Sequence, residues 1–204
     1  MARRKLPNTK PRLVIVLSGP SAGAGKNTIV QQLLRKRSTL EFVPGTTTRP
    51  RQKRKGGDRA MRFVTLAQFR KLQREGVIIE SARVTGHWYG TNGRLVQRIL
   101  ARGKVPLIMP DVHGHTSIRR LAPKLGFKVR SMFVVPGNFS ELRTRIMLRQ
   151  PEAGAAWVRK RLALAERELK HKGEYDAVIV NRQDQLERAV RDALRFVDRC
   201  LAQR

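Results

Sequence analysis

The chain has 204 residues, 44 of them Lys or Arg and 15 Asp or Glu, which gives a formal net charge of +29. This charge indicates an anionic partner, which could be a phosphorylated metabolite, a nucleic acid or an anionic membrane. One cysteine, Cys200, excludes an intrachain disulfide, and no apolar run approaches the roughly 18 residues that span a bilayer. We therefore expect one sizeable domain in a reducing compartment, the cytoplasm, without membrane contact.

The first segment of the chain, residues 1–12, is basic, and the apolar run after it, Leu13–Leu17, is five residues long. A secretory signal needs an apolar region of about 7–15 residues, so we interpret residues 1–12 as a solvated basic tail. The charge leaves a nucleic-acid-binding arm open as the alternative.

Residues 13–28 predict a site for nucleotide phosphates. Leu13–Leu17 is typical of a strand buried on both faces, and apolar residues at 29, 30, 33 and 34 predict a helix over 28–37. The glycine-rich turn between them directs backbone N–H groups and the Lys26 ammonium toward phosphate oxygens. The residues expected to hold the donor nucleotide are Ser21, Ala22, Gly23, Ala24, Gly25, Lys26, Asn27 and Thr28.

This turn departs from the usual G-x-x-x-x-G-K-[ST] spacing. Pro20 stands where the first glycine belongs and Gly19 lies one place earlier, so the loop is one residue longer than usual. Asn27 replaces the usual Ser or Thr, and we expect Asn27 and Thr28 to be weak oxygen ligands for Mg²⁺.

Hydrophobic spacing and turn residues predict the elements that follow. The predicted strands are residues 63–64, 77–79, 82–84, 105–109, 129–135 and 177–180. The predicted helices are residues 66–76 after a Thr65 cap, a segment from Thr91 or Asn92 to about Arg102, and residues 139–148, 158–172 and 185–201. Alternating strands and helices imply a parallel sheet, which binds ligands at the carboxyl ends of its strands. The glycine-rich turn, Asp111 and Asn181 then share one edge.

Further motifs follow in order along the chain, and they make residues 12–200 similar to the guanylate kinase family. They are Gly19-Pro-Ser with Ala24-Gly-Lys, Thr47-Thr-Arg-Pro, Glu80-x-Ala, Gly86-x-x-Tyr89-Gly-Thr, Asp111-x-x-Gly114, Arg161-Leu and Glu174–Asn181. The resemblance implies an α/β P-loop kinase fold, in which helices flank a central parallel sheet. It implies a core of residues 13–44, 93–136 and 174–204, an inserted acceptor (GMP)-binding lobe at 45–92 and a helical lid region at 137–173.

The resemblance also implies ATP- and Mg²⁺-dependent phosphoryl transfer to GMP. This chemistry needs two phosphate-bearing substrates held in line and the charge of the transferring group neutralised. The catalytic residues that the resemblance implies are Lys26, Arg49, Arg145, Arg149 and Arg161. The implied acceptor-binding residues are Arg49, Glu80, Tyr89, Thr91 and Asp111, and Asn181 resembles the residue near the donor base.

The acceptor lobe departs from the family's pattern. Gly45 stands where the family has Ser, Met61 where it has a phosphate-binding Tyr, and Met109 where it has the first Asp of D-x-D; Ala60 likewise replaces an Asp. These changes leave two other hypotheses open. One is a kinase for another phosphorylated acceptor, such as a ribose bisphosphate or a different nucleotide, and the other is a catalytically weak kinase-like protein that binds nucleic acid or a protein partner.

Overall fold

The computed structural model describes residues 12–51, 61–84 and 86–204. The predictions for the tail before Arg12 and for Ala60 lie outside these residues. The strands are β1 (Leu13–Ser18), β2 (Leu40–Phe42), β3 (Gly45–Thr47), β4 (Met61–Phe63), β5 (Ile78–Val84), β6 (His87–Asn92), β7 (Val105–Ile108), β8 (Lys128–Pro136) and β9 (Ala177–Asn181). The helices are α1 (Lys26–Lys36), α2 (Leu66–Arg74), α3 (Gly93–Ala101), α4 (Val112–Leu121), α5 (Phe139–Arg149), α6 (Ala155–Leu169) and α7 (Leu186–Ala202), with a 3₁₀ turn at Lys170–Glu174.

A five-stranded sheet with the order β2-β7-β1-β8-β9 forms the centre of the molecule. Its pairings are all parallel, as the alternation of strands and helices predicts. The carboxyl ends of β1, β7, β8 and β9 therefore lie along one edge, and the loops that follow them can share a ligand.

Alternate residues of β1 enter two separate cores because successive side chains of a strand point to opposite faces. Leu13, Ile15 and Leu17 pack among side chains of α1 and α7. Val14 and Val16 pack among side chains of α3 and α4 on the other face. The burial of both faces explains the unbroken apolar run from which this strand was predicted.

A second, four-stranded sheet with the order β4-β3-β6-β5 lies within residues 45–92. The prediction of two strands around a turn over 77–84 is wrong, because β5 is continuous and pairs antiparallel with β6. The register shifts between Ile78 and Glu80, and this irregularity interrupts the alternation that a regular strand would show. Sequence reasoning missed β3 and β6, since their small and polar residues lack an apolar run.

Side-chain caps set the start of several helices. Thr65 and Gln68 form the reciprocal capping box of α2, and Asn92 caps α3. Asp111 caps α4 by accepting from the Gly114 N–H at 2.7 Å. Sequence reasoning did not predict α4, whose glycine and polar residues give it little helix propensity. Within the residues that the structure describes, no helix is both long and apolar enough to cross a membrane.

Candidate active site

One cleft of about 640 Å³ brings together residues from the phosphate loop, the second sheet and the α5–α6 region. The predicted site residues that line it are Ser21, Ala22, Gly23, Ala24, Gly25, Lys26, Asn27, Thr28, Arg49, Glu80, Tyr89, Thr91, Asp111, Arg149 and Arg161. Arg145 and Asn181 do not line it. Segments far apart in the sequence thus converge at the carboxyl edge of the parallel sheet.

The turn before α1 has the backbone geometry of an anion-binding loop. Gly23 and Gly25 have φ values of 77° and 82°, in the left-handed region that residues with a Cβ rarely adopt. Gly25 forms the N-cap of α1 without a side-chain cap, so no side chain competes for the N–H groups of the first turn. These N–H groups and the positive end of the helix dipole favour a bound phosphate.

Lys26 is folded onto its own loop. Its ammonium donates to the carbonyl oxygen of Gly19 at 3.1 Å and to that of Pro20. Burial lowers the pKa of Lys26 to about 8, the charge of Glu168 opposes this shift, and the charge of Arg149 adds to it. A phosphate group arriving in the loop would offset the cost of burying this cation.

Asn181 and Arg145 lie beside the phosphate loop, away from the cleft surface. The Asn181 side chain is 5% exposed and donates to the carbonyl oxygen of Ala24 at 2.9 Å. Arg145 donates to the backbone carbonyl of Asn181 at 3.0 Å, and its guanidinium is 3.6 Å from Glu141. The Asn181 amide therefore holds the loop and does not occupy a surface that a donor base could reach.

A half-buried carboxylate, Glu80, marks the acceptor half of the cleft. The Thr91 hydroxyl donates to Glu80 at 2.6 Å. The pKa of Glu80 is raised to about 7, chiefly by burial; the hydrogen bond from Thr91 opposes the rise, and the nearby charge of Asp111 adds to it. A Cβ at Gly114 would lie only 2.7 Å from the second Glu80 oxygen, so this glycine makes room for the carboxylate. Ligand N–H groups that donate to Glu80 would favour its charged form.

The backbone of Arg49 is fixed by β3. Its N–H donates to the Thr47 hydroxyl at 3.1 Å, and that hydroxyl donates to the Trp88 carbonyl at 2.9 Å. The Arg49 guanidinium donates to the Pro50 carbonyl and lies 5.3 Å from the centre of the Phe63 ring. Arg49 thus reaches the cleft from the bend just after β3, a strand that is paired with β4 on one side and β6 on the other.

Gly45 and Met61 are paired across β3 and β4. A Cβ at Gly45 would lie 3.1 Å from the Met61 sulfur, so a larger residue there would press against the methionine. Both residues line the cleft, as do Met109 and His87. Three positions where the chain departs from the family's pattern, Gly45, Met61 and Met109, therefore form an apolar part of the acceptor wall. Sequence reasoning did not place His87 in the cleft, although it lies within the Gly86-x-x-Tyr89 motif that was singled out.

Two arginines, Arg149 and Arg161, enter the cleft from α5 and α6. Arg149 ends α5, and Arg161 lies on α6 with its guanidinium 5.2 Å from the centre of the Trp157 ring. Together with Lys26 they give the cleft three positive charges around the phosphate loop. This arrangement suits a group whose negative charge is spread over several oxygens.

Sequence reasoning missed Glu168, a buried carboxylate that bonds to the phosphate loop. It is 6% exposed and accepts from the backbone N–H of Ser21 at 2.7 Å and from the Ser21 hydroxyl. The available signal was its helical spacing from Val158 and Ala165, which places a charged residue on the buried stripe of α6.

Comparisons with known proteins agree with this geometry. A family model described as guanylate kinase matches residues 10–199. A guanylate kinase of Mesorhizobium japonicum is 37% identical over 177 residues, which are 87% of this chain and 78% of the relative. One of Myxococcus xanthus is 36% identical over 199 residues, which are 95% of this chain and 90% of the relative.

The crystal structure of guanylate kinase from Anaplasma phagocytophilum is similar in fold. The TM-score is 0.71 at 26% sequence identity, and the match covers 93% of this chain and 86% of that one. The predicted α/β P-loop kinase fold is confirmed by this likeness.

Proposed function

The chain belongs to the guanylate kinase family and is an ATP:GMP phosphotransferase, and on this premise we propose how its own residues divide the work. The phosphate loop and Lys26 hold the donor phosphates of ATP. The second sheet holds GMP, and the arginines of α5 and α6 act on the group in transit. The observation that carries this proposal is the single cleft in which the loop, Glu80 and both arginines meet.

At the donor end, the N–H groups of the loop and of the first turn of α1 bind the phosphate oxygens of ATP. The Lys26 ammonium exchanges its bonds with loop carbonyls for bonds with phosphate. Asn181 and Arg145 contribute through the loop, which they hold from the end of β9. The close contact between Asn181 and the loop requires glycine at position 25, because a Cβ there would lie 2.2 Å from the Asn181 amide nitrogen.

At the acceptor end, Glu80 distinguishes guanine from adenine. Guanine presents N1–H and N2–H₂ donors to a carboxylate, whereas adenine presents a lone pair at the position of N1–H. Thr91 orients the carboxylate through its 2.6 Å hydrogen bond. Arg49 forks onto the phosphate of GMP, since a guanidinium can bind two oxygens at once, and Tyr89 and Asp111 complete the acceptor wall.

The transfer itself needs positioning and charge neutralisation, with no covalent intermediate on the protein. The GMP phosphate oxygen attacks the γ-phosphorus of ATP as the bond to the β–γ bridging oxygen breaks, yielding ADP and GDP. Arg149 and Arg161 donate to the oxygens of the transferring group, where the developing charge lies.

The residues around Lys26 fit a Mg²⁺ ion that arrives with the nucleotide. Asn27 and Thr28 line the cleft and offer neutral oxygens. In the described part of the chain, no group of three or more His, Cys, Asp or Glu side chains could hold a metal ion. Such a donor set suits Mg²⁺, which keeps several waters and is bound largely by substrate phosphates. When bound, it would neutralise phosphate charge. A cytoplasmic location and nucleic-acid contact by the basic surface remain predictions from composition.

An acceptor panel tests the proposal. ADP formation would be followed with ATP, Mg²⁺ and either GMP, AMP or a ribose bisphosphate. We expect turnover with GMP, its loss in Lys26→Ala, and a decrease of about 100-fold in kcat/KM for GMP in Glu80→Gln, the size expected for a lost charged hydrogen bond. Glu75→Gln, on the same lobe but partly exposed, is the matched control. Turnover with another acceptor and none with GMP would refute the assignment.

A further inference from the structure

We infer that Glu168 is a positioning residue that joins helix α6 to the phosphate loop and thereby holds Arg161 over the cleft. The inference rests on the proposed function, because Arg161 acts on the transferring group there. It goes further by assigning a role in the reaction to a carboxylate that does not line the cleft.

The contact between Glu168 and Ser21 uses both carboxylate oxygens. One accepts from the Ser21 N–H at 2.7 Å and the other from the Ser21 hydroxyl. A carboxylate is buried only where hydrogen bonds or opposite charges compensate its lost hydration. With Glu168 buried, separation of α6 from the loop would leave a desolvated charge without these bonds, so the two move together.

Helix geometry carries this constraint to the cleft. Arg161 precedes Glu168 by seven residues, which is about two turns and a rise of about 10.5 Å, and so both side chains leave nearly the same face of α6. One end of this face holds the loop through Glu168, and the other presents Arg161 to the cleft. A rotation of α6 about its axis would break the first contact and withdraw the second.

Apolar packing supports the same connection. Ala22, in the lengthened loop, packs against a small cluster formed by Leu142, Ile146, Val158 and Ala165. A Cβ at Gly23 would lie 2.6 Å from a Leu142 methyl group. The loop therefore touches α5 and α6 through consecutive residues, and the Ser21–Glu168 pair is the polar, directional part of that contact.

Trp157 allows the connection to be measured without nucleotide. It lies on α6 against Arg161, and the chain has one other tryptophan, Trp88, which Trp88→Phe removes. In that background we expect Glu168→Ala to increase acrylamide quenching of Trp157 about twofold. Glu166→Ala, at an exposed position of the same helix, should leave quenching unchanged.

Kinetics test whether the connection serves the reaction. We expect Glu168→Ala to lower kcat about tenfold and to raise KM for ATP, with KM for GMP within twofold of the parent. Glu168→Gln keeps an amide oxygen for the Ser21 N–H and should recover most of the loss. The double variant Ser21→Ala/Glu168→Ala should lower kcat by less than the product of the two single reductions, because each substitution removes the same hydrogen bond between the Ser21 hydroxyl and Glu168.

These experiments distinguish failure of the role assigned to Glu168 from failure of the proposed function. Unchanged quenching and kcat in Glu168→Ala, or strictly multiplicative effects with Ser21→Ala, would overturn the inference. So would a uniform loss of active protein in both Glu168 variants with unaltered KM values, which indicates misfolding only. If the unmodified protein does not phosphorylate GMP, the proposed function fails, and the quenching comparison in the Trp88→Phe background still decides whether Glu168 holds α6.

Discussion

Replacement of Glu80 by Gln should stabilise the fold at alkaline pH while it impairs the reaction with GMP. Burial raises the pKa of Glu80 from 4.5 to about 7. The folded protein therefore binds this proton more tightly than the unfolded chain does. The stability contributed by the protonated form is full below pH 4.5 and is lost as the pH rises through about 7.

The size of the effect follows from the two pKa values. They differ by about 2.5, which corresponds to about 3 kcal/mol of unfolding free energy across the whole transition. Gln has the same shape, and its side-chain oxygen can still accept a hydrogen bond from the Thr91 hydroxyl, but it has no charge to desolvate. Between pH 5 and pH 8.5, the difference in unfolding free energy between Glu80→Gln and the wild type should change by about 2–3 kcal/mol in favour of the variant. This corresponds to about 5–10 °C in Tm for a domain of this size.

Thermal unfolding of the wild type and Glu80→Gln at these two pH values measures this growth directly. Other titrating groups are common to both proteins and cancel in the comparison. Glu75→Gln is the control, since Glu75 is partly exposed and ion-paired with Lys71 and Arg94. A Tm difference between wild type and Glu80→Gln that does not change with pH would refute the raised pKa and its assigned cause.

Three further changes probe the loop and the fold. Gly25→Ala should abolish measurable ATP binding in titration calorimetry, because φ is 82° and the added Cβ would lie 2.2 Å from the Asn181 amide nitrogen. Burial lowers the pKa of His115 to about 4, so wild-type stability should fall as the pH decreases from 6.5 toward 4. The free energy of unfolding of His115→Phe, measured in denaturant titrations, should fall by about 2–3 kcal/mol less over that range, since phenylalanine has no ring nitrogen to protonate. Asp198→Asn breaks a half-exposed ion pair with Arg37 at 2.6 Å and should lower stability by less than about 1 kcal/mol, an effect that added salt removes in the same titrations.

The parallel sheet was predictable because its central strands, β1 and β7, are buried on both faces. Leu13–Leu17 and Val105–Met109 are unbroken apolar runs, and burial on both faces requires that composition. The second sheet was not predictable as a whole, because β3 and β6 mix small, polar and aromatic residues and contain no apolar run. Its β5 and β6 are held by each other's backbone, so their pairing depends on long-range register more than on local composition.

The two halves of the cleft also differed in how far the sequence predicts them. The donor half comes from one contiguous run, and a turn that binds phosphate through its backbone leaves its glycines and lysine in consecutive positions. The acceptor half draws on β3, β5 and β6 and on the start of α4, so no single stretch contains it. The sequence named Glu80 and Arg49 only through the family's motifs, and the pairing of Gly45 with Met61 became visible only in the folded chain.

The sequence alone determined the class of fold, the phosphate loop and its lysine, because these depend on local spacing and on which residues must be buried. Only the tertiary structure decided which charged and polar side chains face the cleft and which support it. Asn181 and Glu168 reach loop residues 157 and 147 positions away in the chain. Such contacts depend on how helices and strands pack, and packing sets both the direction of a side chain and the cost of burying it.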